Sequence, residues 1–143
     1  IQIKAIGEII RRVEIPLKSK REKISSTKDV GEKYMPKLRY LKEEEMYIIY
    51  LDAKNNILKE IRSGKSGISS VDVNIEEITR MAILSYSARV IIVHNHPSGD
   101  TSPSMNDIKF TEEIKRILSM LGIELIDHVI IGDGEYRSII NMV

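Results

Sequence analysis

The sequence predicts an α/β fold in which helices flank both faces of a mixed central β-sheet. Residues 46–51 and 57–62 are rich in β-branched and aromatic side chains and surround a turn at 54–56, which predicts a hairpin. The apolar run ARVIIV at residues 88–93 predicts a buried strand. Apolar residues at helical spacing before and after that run predict helices that cover the sheet. We therefore predict a mixed-sheet α/β/α sandwich.

The segment before the hairpin reads as helical and strongly charged. We expect residues 1–12 to form the remnant of a helix and residues 13–26 to form a charged linker. Residues 28–38 have the pattern of a second helix. Because proline lacks a backbone N–H, Pro36 should kink that helix or end it early.

After the hairpin, helices and strands alternate. Residues 74–86 predict a helix with Asp72 or Asn74 as its N-cap. A further helix should begin at Pro103 and Ser104 and end at Gly122. The last two predicted strands, which meet at the turn signal Gly-Asp-Gly, are 123–131 and 136–140.

The net charge of +1 hides an asymmetry between the two parts of the chain. Residues 1–42 hold twelve Lys and Arg against five Asp and Glu, whereas residues 43–143 hold ten against sixteen. We therefore assign residues 1–40 to a basic helical arm and linker and residues 41–143 to the main domain. A DNA contact through phosphate neutralisation would use Arg11, Arg12, Lys18, Lys20, Arg21 and Lys23. A solvated linker is the simpler interpretation, because no aromatic side chain interleaves this cluster for base stacking.

Composition bounds the class of protein. The chain is 42% hydrophobic and 30% charged, which is ordinary for a globular domain. No apolar run approaches the length of a membrane-spanning helix, so no membrane association is predicted. The absence of cysteine excludes disulfides and agrees with a reducing compartment, and we expect a cytoplasmic location. It also excludes a zinc-dependent nucleotide deaminase, which needs a pair of cysteine ligands.

Residues 94–107, HNHPSGDTSPSMND, carry the strongest chemical signal. His94 and His96 can converge on one ion only if the backbone bends, and Pro97 with Gly99 supplies the bend. Both histidines follow the buried strand, at the sheet edge where α/β folds place their ligands. Asp107 should lie in the first turn of the next helix, facing back toward this strand end.

Two neutral imidazoles and one carboxylate make a three-ligand set that leaves zinc an open position for water, as in catalytic zinc sites. We therefore predict one Zn²⁺ per chain, although nitrogen and oxygen ligands also suit iron or manganese. A simpler interpretation is a capping box, in which Ser104 and Asp107 each accept from the other's backbone N–H. We expect an aspartate bound to zinc to be a poor reciprocal cap.

This arrangement, HxHP followed by six residues and SxxD, resembles the JAMM (MPN+) metalloprotease motif. Within that superfamily HNHPSGD, the later LIDHVIIGDG at 125–134 and the opening KAIGEIIRR at 4–12 are similar to bacterial RadC-like proteins. The resemblance implies a cytidine-deaminase-like (JAB/MPN) fold. It also implies that His94, His96 and Asp107 are the zinc ligands and that Ser104 stabilises the oxyanion. In that family a helix-hairpin-helix region usually precedes the opening segment, and we expect one before residue 1.

The resemblance further implies a glutamate base at the start of the first hairpin strand. The segment KEEEMYIIYLD at 42–52 matches, and alignment selects Glu44. Glu43 and Glu45 remain alternatives, because a slip of one residue turns a strand side chain to the other face. A run of three glutamates is also typical of a solvated face.

These residues imply a zinc-dependent metallohydrolase, most simply a metallopeptidase or isopeptidase acting on a peptide or isopeptide-linked protein. Zinc lowers the pKa of its bound water from about 15.7 to about 7. A carboxylate such as Glu44 would take the remaining proton and deliver it to the leaving amine. The alternative is a DNA-associated accessory module in which the metal site is structural or idle.

Two further expectations concern His128 and self-association. His128 lies beside Asp127 in a predicted strand, so their side chains should point to opposite faces of the sheet. We expect His128 to be packed or hydrogen-bonded, with support of a metal ligand as the alternative. The exposed edge of the predicted hairpin could pair with a second copy in a homodimer.

Overall fold

The computed structural model describes residues 21–63 and 74–143. One five-stranded sheet has the order β2-β1-β3-β4-β5. The strands are β1 (Met46–Leu51), β2 (Ile57–Ser63), β3 (Arg89–Asn95), β4 (Glu124–Ile131) and β5 (Tyr136–Ser138). β3 and β4 run parallel, and the other neighbouring pairs run antiparallel. The predicted hairpin and the predicted mixed sheet are confirmed.

Helices cover both faces of this sheet. They are α1 (Thr27–Leu38), α2 (Ile75–Leu84) and α3 (Met105–Met120), and a short 3-10 helix, Ile140–Met142, follows β5. Side chains from α2 and α3 pack with the sheet in one apolar core, and side chains from α1 pack with it in another. The predicted α/β/α sandwich is confirmed.

Strict alternation along β1 creates the two cores. Met46, Ile48 and Tyr50 face α2 and α3, whereas Ile49 and Leu51 face α1. Successive side chains of a strand point to opposite faces, so a strand covered on both sides is apolar throughout. The same rule places His94 of β3 on the α3 face, because Val90 and Ile92 lie in that core.

A β-bulge in β4 interrupts this alternation. Val90 pairs with Leu125, but the next residue, Ile91, pairs with Asp127, so Ile126 is the extra residue. Leu125 still faces α3, whereas Asp127 faces α1 and His128 faces α3. The two side chains therefore point to opposite faces, as predicted. The bulge decides which of them reaches the α3 side.

The segment before α1 is part of the packed body. The N–H of Ile24 donates to the Asn55 carbonyl, and the N–H of Ile57 donates to the Glu22 carbonyl. Ile24 itself is buried in the core beneath α1. The prediction of a charged linker to residue 26 is therefore wrong for its last residues, because the linker end pairs with the hairpin. Residues 1–20 lie outside the described part, so a basic arm within 1–40 stays a prediction there.

α1 runs through its proline. Ser26 caps it, with Asp29 completing a reciprocal capping box, and the helix continues two residues past Pro36 to Leu38. The expected early end is therefore wrong. Tyr34 and Leu38 are fully buried against the sheet. This packing outweighs the one helical hydrogen bond that proline cannot make.

The remaining boundaries differ little from expectation. Asn74 is the N-cap of α2, and Asp72 lies outside the described residues. α3 ends just before Gly122, whose φ of 71° is the left-handed conformation that glycine favours after a helix. The last predicted strand is shorter than expected, because the backbone after Ser138 turns into the 3-10 helix.

Within the two described segments, every helix is too short or too polar to cross a lipid bilayer. The longest of them, α3, has 16 residues and carries charged side chains along its exposed side.

Tyr34 ties α1 to the edge strand β2, and its removal should lower stability in a pH-dependent way. The Tyr34 hydroxyl donates to Glu60 at 2.6 Å. Burial alone would raise the pKa of Glu60, but the bonds from Tyr34 and Lys37 lower it below its usual 4.5. We expect Tyr34→Phe to lower the free energy of unfolding by about 1.5–3 kcal/mol at neutral pH.

Because the pKa of Glu60 is lowered in the folded chain, Glu60 contributes to the free energy of unfolding above pH 4.5. This contribution is lost as the pH falls below that value. The difference between Tyr34→Phe and wild type should therefore shrink in acid. Urea denaturation at several pH values measures it. Tyr40→Phe is the control, since Tyr40 is 78% exposed. A pH-independent difference would contradict the assignment to Glu60.

Candidate metal centre

Three predicted ligands meet at the carboxyl end of β3. His94 is in the strand, His96 directly follows it, and Asp107 is in the first turn of α3. Each offers a ligand atom, and these three atoms lie within 4.8 Å of one another. Nε2 of His94 is 3.1 Å from Nε2 of His96 and 3.2 Å from Oδ1 of Asp107.

The loop after β3 orients His96. Gly99 adopts a φ of 83°, which brings the chain back so that the Asp100 carbonyl lies 2.8 Å from Nδ1 of His96. A carbonyl oxygen only accepts, so Nδ1 of His96 carries the proton and donates it. In neutral His96, Nε2 is then left with its lone pair toward His94 and Asp107.

Gly132 allows this loop to lie against the end of β4. The backbone N–H of His96 donates to the Ile131 carbonyl, and that of Asp133 donates to the Gly99 carbonyl. A Cβ atom at position 132 would lie 2.2 Å from the Gly99 carbonyl oxygen. Only glycine fits such a close backbone approach. The turn after β4 therefore supports the loop that carries His96.

Asp107 caps α3 and faces the histidines at the same time. Its Oδ2 accepts from the backbone N–H of Ser104, and the Ser104 hydroxyl accepts from the N–H of Asp107. Its Oδ1 points to His94. Its Oδ2, the capping oxygen, lies 3.4 Å from Nε2 of His96. Asp107 thus caps the helix while it faces both histidines, and the expectation that an aspartate bound to zinc is a poor reciprocal cap stays a prediction.

The charge state of Asp107 suits a cation. Burial alone would raise the pKa of this carboxyl, but its contacts with His94 and Ser104 hold the pKa well below its usual range. Asp107 is therefore a carboxylate at neutral pH. Two imidazole nitrogens and a carboxylate oxygen within hydrogen-bond distance of one another form a donor set that zinc binds. The residues present therefore fit the ion that the sequence predicts.

His128 and Thr111 lie directly behind His94, and both are fully buried. Nε2 of His128 is 2.8 Å from Nδ1 of His94, and Nδ1 of His128 is 2.6 Å from the Thr111 hydroxyl. Burial lowers the pKa of His128 to about 3, so this imidazole is neutral. His128 is hydrogen-bonded, as expected, and because its partner is His94 the alternative role, support of a metal ligand, stays a prediction.

Among the three candidate glutamates, the structure brings Glu44 to the centre. Its Oε1 lies 3.9 Å from Nε2 of His94, and the side chain is 42% exposed. Glu45 points elsewhere and forms a two-bond ion pair with Arg62 of β2. Glu43 is exposed. Geometry thus favours Glu44, although its catalytic role stays a prediction.

Asn95 fixes the backbone on both sides of Glu44. Its side-chain oxygen accepts from the N–H of Glu45 at 2.8 Å, and its side-chain nitrogen donates to the Glu43 carbonyl at 3.1 Å. Asn95 is 1% exposed. Sequence reasoning missed this residue. The only signal was its position between the two histidines, and that position does not show which backbone it contacts.

Ser104 lies beside the three predicted ligands, but its hydroxyl proton already takes part in a hydrogen bond. The hydroxyl donates to Oδ2 of Asp107 at 2.6 Å. A serine has one such proton, so it cannot donate to a substrate oxygen in the same arrangement. Ser104 is exposed, and its hydroxyl can rotate about the side-chain bond. Its role in oxyanion stabilisation stays a prediction.

The mixed five-stranded sandwich, with histidines at a strand end and an aspartate in the following helix, defines the JAB/MPN class of domains. Comparison with known proteins assigns the family. A family model described as "RadC-like JAB domain" matches residues 24–142. The chain therefore belongs to the RadC-like JAB domain family, as the sequence motifs indicated.

Relatives in archaea and bacteria support this assignment. The chain is 45% identical over 138 residues to a UPF0758 protein of Methanosarcina mazei and 40% identical over 138 residues to one of Clostridium perfringens. A UPF0758 protein of Clostridium acetobutylicum is 37% identical over 139 residues. Each match covers 96% or 97% of this chain and 60% or 61% of the relative. The chain thus spans about three fifths of the length of these relatives.

Asn95→Asp should destabilise the centre. The substitution keeps the shape and the acceptor for Glu45 but replaces the donor to the Glu43 carbonyl with a buried oxygen. We expect the free energy of unfolding to fall by about 1–3 kcal/mol, the usual cost of a buried polar group without its partner. Urea denaturation measures the change. Asn141→Asp is the control, since Asn141 is exposed. Equal effects of the two substitutions would contradict the role of the Asn95 side chain in holding the backbone on both sides of Glu44.

Proposed function

We propose that this chain is a zinc-dependent metallohydrolase that cleaves a peptide or isopeptide bond. One observation carries the proposal. Nε2 of His94, Nε2 of His96 and the carboxylate of Asp107 converge at 3.1–3.4 Å, with a glutamate beside them. Where no proton lies between them, three such atoms face one another with lone pairs and are best stabilised by a shared metal ion. Membership of the JAB family supports a hydrolase of JAMM type.

The groups around the convergence have complementary tasks. A bound zinc ion would supply an acidified water and a Lewis acid at this point. Glu44, beside His94 and 42% exposed, would accept a proton and return it to the leaving amine. Asn95 bonds the backbone on both sides of Glu44, which keeps the backbone of Glu44 beside the end of β3.

Ser104 would stabilise negative charge on the substrate oxygen. To do so its hydroxyl must turn from Asp107 toward the substrate. If only the hydroxyl proton turns about the Cβ–Oγ bond, the Ser104 oxygen still accepts from the Asp107 N–H and Asp107 still accepts from the Ser104 N–H, so the cap survives. Removing one donor of this kind typically lowers the rate by about 10²- to 10³-fold.

The exposure of the site agrees with a polymeric substrate. His94 is fully buried, whereas Glu44 and Ser104 are exposed, so the centre opens to solvent on the side of these two residues. An open site at a sheet edge suits an extended chain better than an enclosed small molecule. This favours a peptide or an isopeptide-linked protein as substrate.

The DNA-associated alternative has less support in the described residues. Most of the basic cluster that would contact phosphates lies in residues 1–20, outside the described part. In α1, Lys33 pairs with Glu22 and Glu60, and Lys37 also pairs with Glu60. These lysines are partly neutralised by acidic neighbours, so α1 offers little free positive charge for phosphates.

The proposal predicts a metal content that depends on Asp107. We expect purified protein to hold about one zinc per chain and Asp107→Ala to hold little. Elemental analysis and competition with a chromophoric chelator measure both. Asp29→Ala is a matched control, because Asp29 completes the same capping box in α1, where no histidine lies beside it. Each variant should lose about 1 kcal/mol of stability from its cap, but only Asp107→Ala should lose zinc.

If wild type holds no zinc after zinc loading, or if Asp107→Ala retains it, the proposed centre is wrong. Equal zinc loss in Asp107→Ala and Asp29→Ala would instead attribute the loss to a weakened fold.

Glu44→Gln should separate metal binding from hydrolysis. The amide cannot accept the proton, so turnover should fall by about 10²- to 10⁴-fold while zinc content stays unchanged. The assay would use a library of internally quenched peptides, with lysine isopeptides included. Glu43→Gln is the control, since Glu43 is exposed and contributes only its backbone carbonyl. Equal activity of Glu44→Gln and wild type would remove Glu44 from the mechanism.

A further inference from the structure

A chain of three hydrogen bonds runs from the backbone of α3 to His94. The Thr111 hydroxyl contacts the Asp107 carbonyl at 2.5 Å and Nδ1 of His128 at 2.6 Å. Nε2 of His128 in turn contacts Nδ1 of His94 at 2.8 Å. All three side chains are fully buried, so within the described residues no solvent-exposed group competes for these bonds.

The Asp107 carbonyl at one end of these three hydrogen bonds fixes the direction in which each of them donates. A backbone carbonyl can only accept, so the Thr111 proton must lie on the Asp107 side. The Thr111 oxygen then accepts from Nδ1 of His128, which leaves Nε2 of that ring as an acceptor. Nε2 of His128 accepts from Nδ1 of His94. In the reverse direction no hydrogen would lie between the Thr111 and Asp107 oxygens at 2.5 Å.

We propose that Thr111 and His128 are positioning residues that fix the tautomer of His94, so that its Nε2 faces the metal centre as a lone pair. This inference rests on the proposed metal centre and adds two residues that contact neither zinc nor substrate. It gives the Asp107 backbone a second task. The carboxylate of Asp107 would bind the ion. Its backbone carbonyl would determine, through Thr111 and His128, which ring nitrogen of His94 carries the proton.

The two histidine ligands differ in the group that orients them. Nδ1 of His96 donates to a backbone carbonyl, whereas Nδ1 of His94 donates to a neutral imidazole. Metal-bound histidines usually donate to carboxylates, carbonyls or water, which make the ring more basic. A neutral imidazole donates less electron density than a carboxylate would. A metal held by His94 would therefore keep more of its positive charge than it would with a carboxylate behind His94.

The test replaces the Thr111 hydroxyl and measures zinc affinity by chelator competition. In Thr111→Val, His128 loses the acceptor for Nδ1–H, and the tautomer that binds zinc is no longer favoured. We expect zinc to bind about 10-fold more weakly, within the range of about 10- to 100-fold for lost partners of metal ligands. Thr111→Ser keeps the hydroxyl and should restore most of the affinity.

Thr79→Val is the matched control. Thr79 of α2 donates to the carbonyl four residues before it, as Thr111 does, but no histidine accompanies it. Its removal should leave zinc affinity unchanged. Unfolding of each metal-free variant by urea shows whether it folds.

A spectroscopic measurement reports on the tautomers directly. Nitrogen-15 correlation spectra of the histidine rings should show His128 protonated on Nδ1 in wild type, with the proton moved to Nε2 in Thr111→Val. Finding His128 protonated on Nε2 in wild type would overturn the inference, even if the variant did not fold.

The outcomes separate the two proposals. Zinc binding in wild type with equal affinity in Thr111→Val would overturn the positioning role and leave the metal centre standing. No zinc binding in wild type would overturn the proposed centre, and the positioning role would fall with it.

Discussion

The structure depends on one unfavourable contact that its surroundings enforce. Two imidazole nitrogens and a carboxylate oxygen are held at 3.1–3.4 Å, where their lone pairs repel unless a proton or a metal ion lies between them. A hydrogen bond on the side away from the convergence holds each of them. The partner is the Asp100 carbonyl for His96, His128 for His94, and the Ser104 backbone N–H at the start of α3 for Asp107. Because these supports are separate hydrogen bonds from different elements, no single rotation relieves the repulsion. A shared cation relieves it, and this supports the metal centre proposed above.

The β-bulge at Ile126 connects the fold to this site. With unbroken alternation from Leu125, Asp127 would face α3 and His128 would face α1. A carboxylate would then lie near His94, and the imidazole would lie beneath α1. The extra residue exchanges the two, so that Asp127 accepts from Thr27 and Ser138 while His128 supports His94. Bulges often lie next to functional sites because they redirect a side chain without changing the strand around it.

Much of this fold and part of the site could be predicted from the sequence. The hairpin, the buried strand and the helical stripes follow from periodicity, and the spacing of His94, His96 and Asp107 follows from a strand, a bend and a helix start. The residues behind them could not be predicted. Thr111 reads as one polar residue in a helix, Asn95 as the residue between two histidines, and the bulge has no sequence signal of its own. Each acts through a contact with a residue distant in sequence, whereas periodicity reports only on neighbours. The path of α1 through Pro36 has the same origin, since buried side chains on the sheet outweigh one lost helical bond.

Asp107 shows why a capping motif and a metal motif should not be treated as alternatives. The capping box in α1 has the same residue types at the same spacing, with Ser26 and Asp29 in place of Ser104 and Asp107. In both boxes one carboxylate oxygen accepts from the N-cap backbone, so the cap leaves the second oxygen for another partner. At α3 the end of β3 places histidines opposite that oxygen. The helix start thus fixes the carboxylate, and the strand end decides whether histidines lie opposite it to complete a candidate metal site. A capping box beside a strand-end HxH is therefore evidence for a preorganised ligand, because the cap removes rotational freedom that binding would otherwise have to remove.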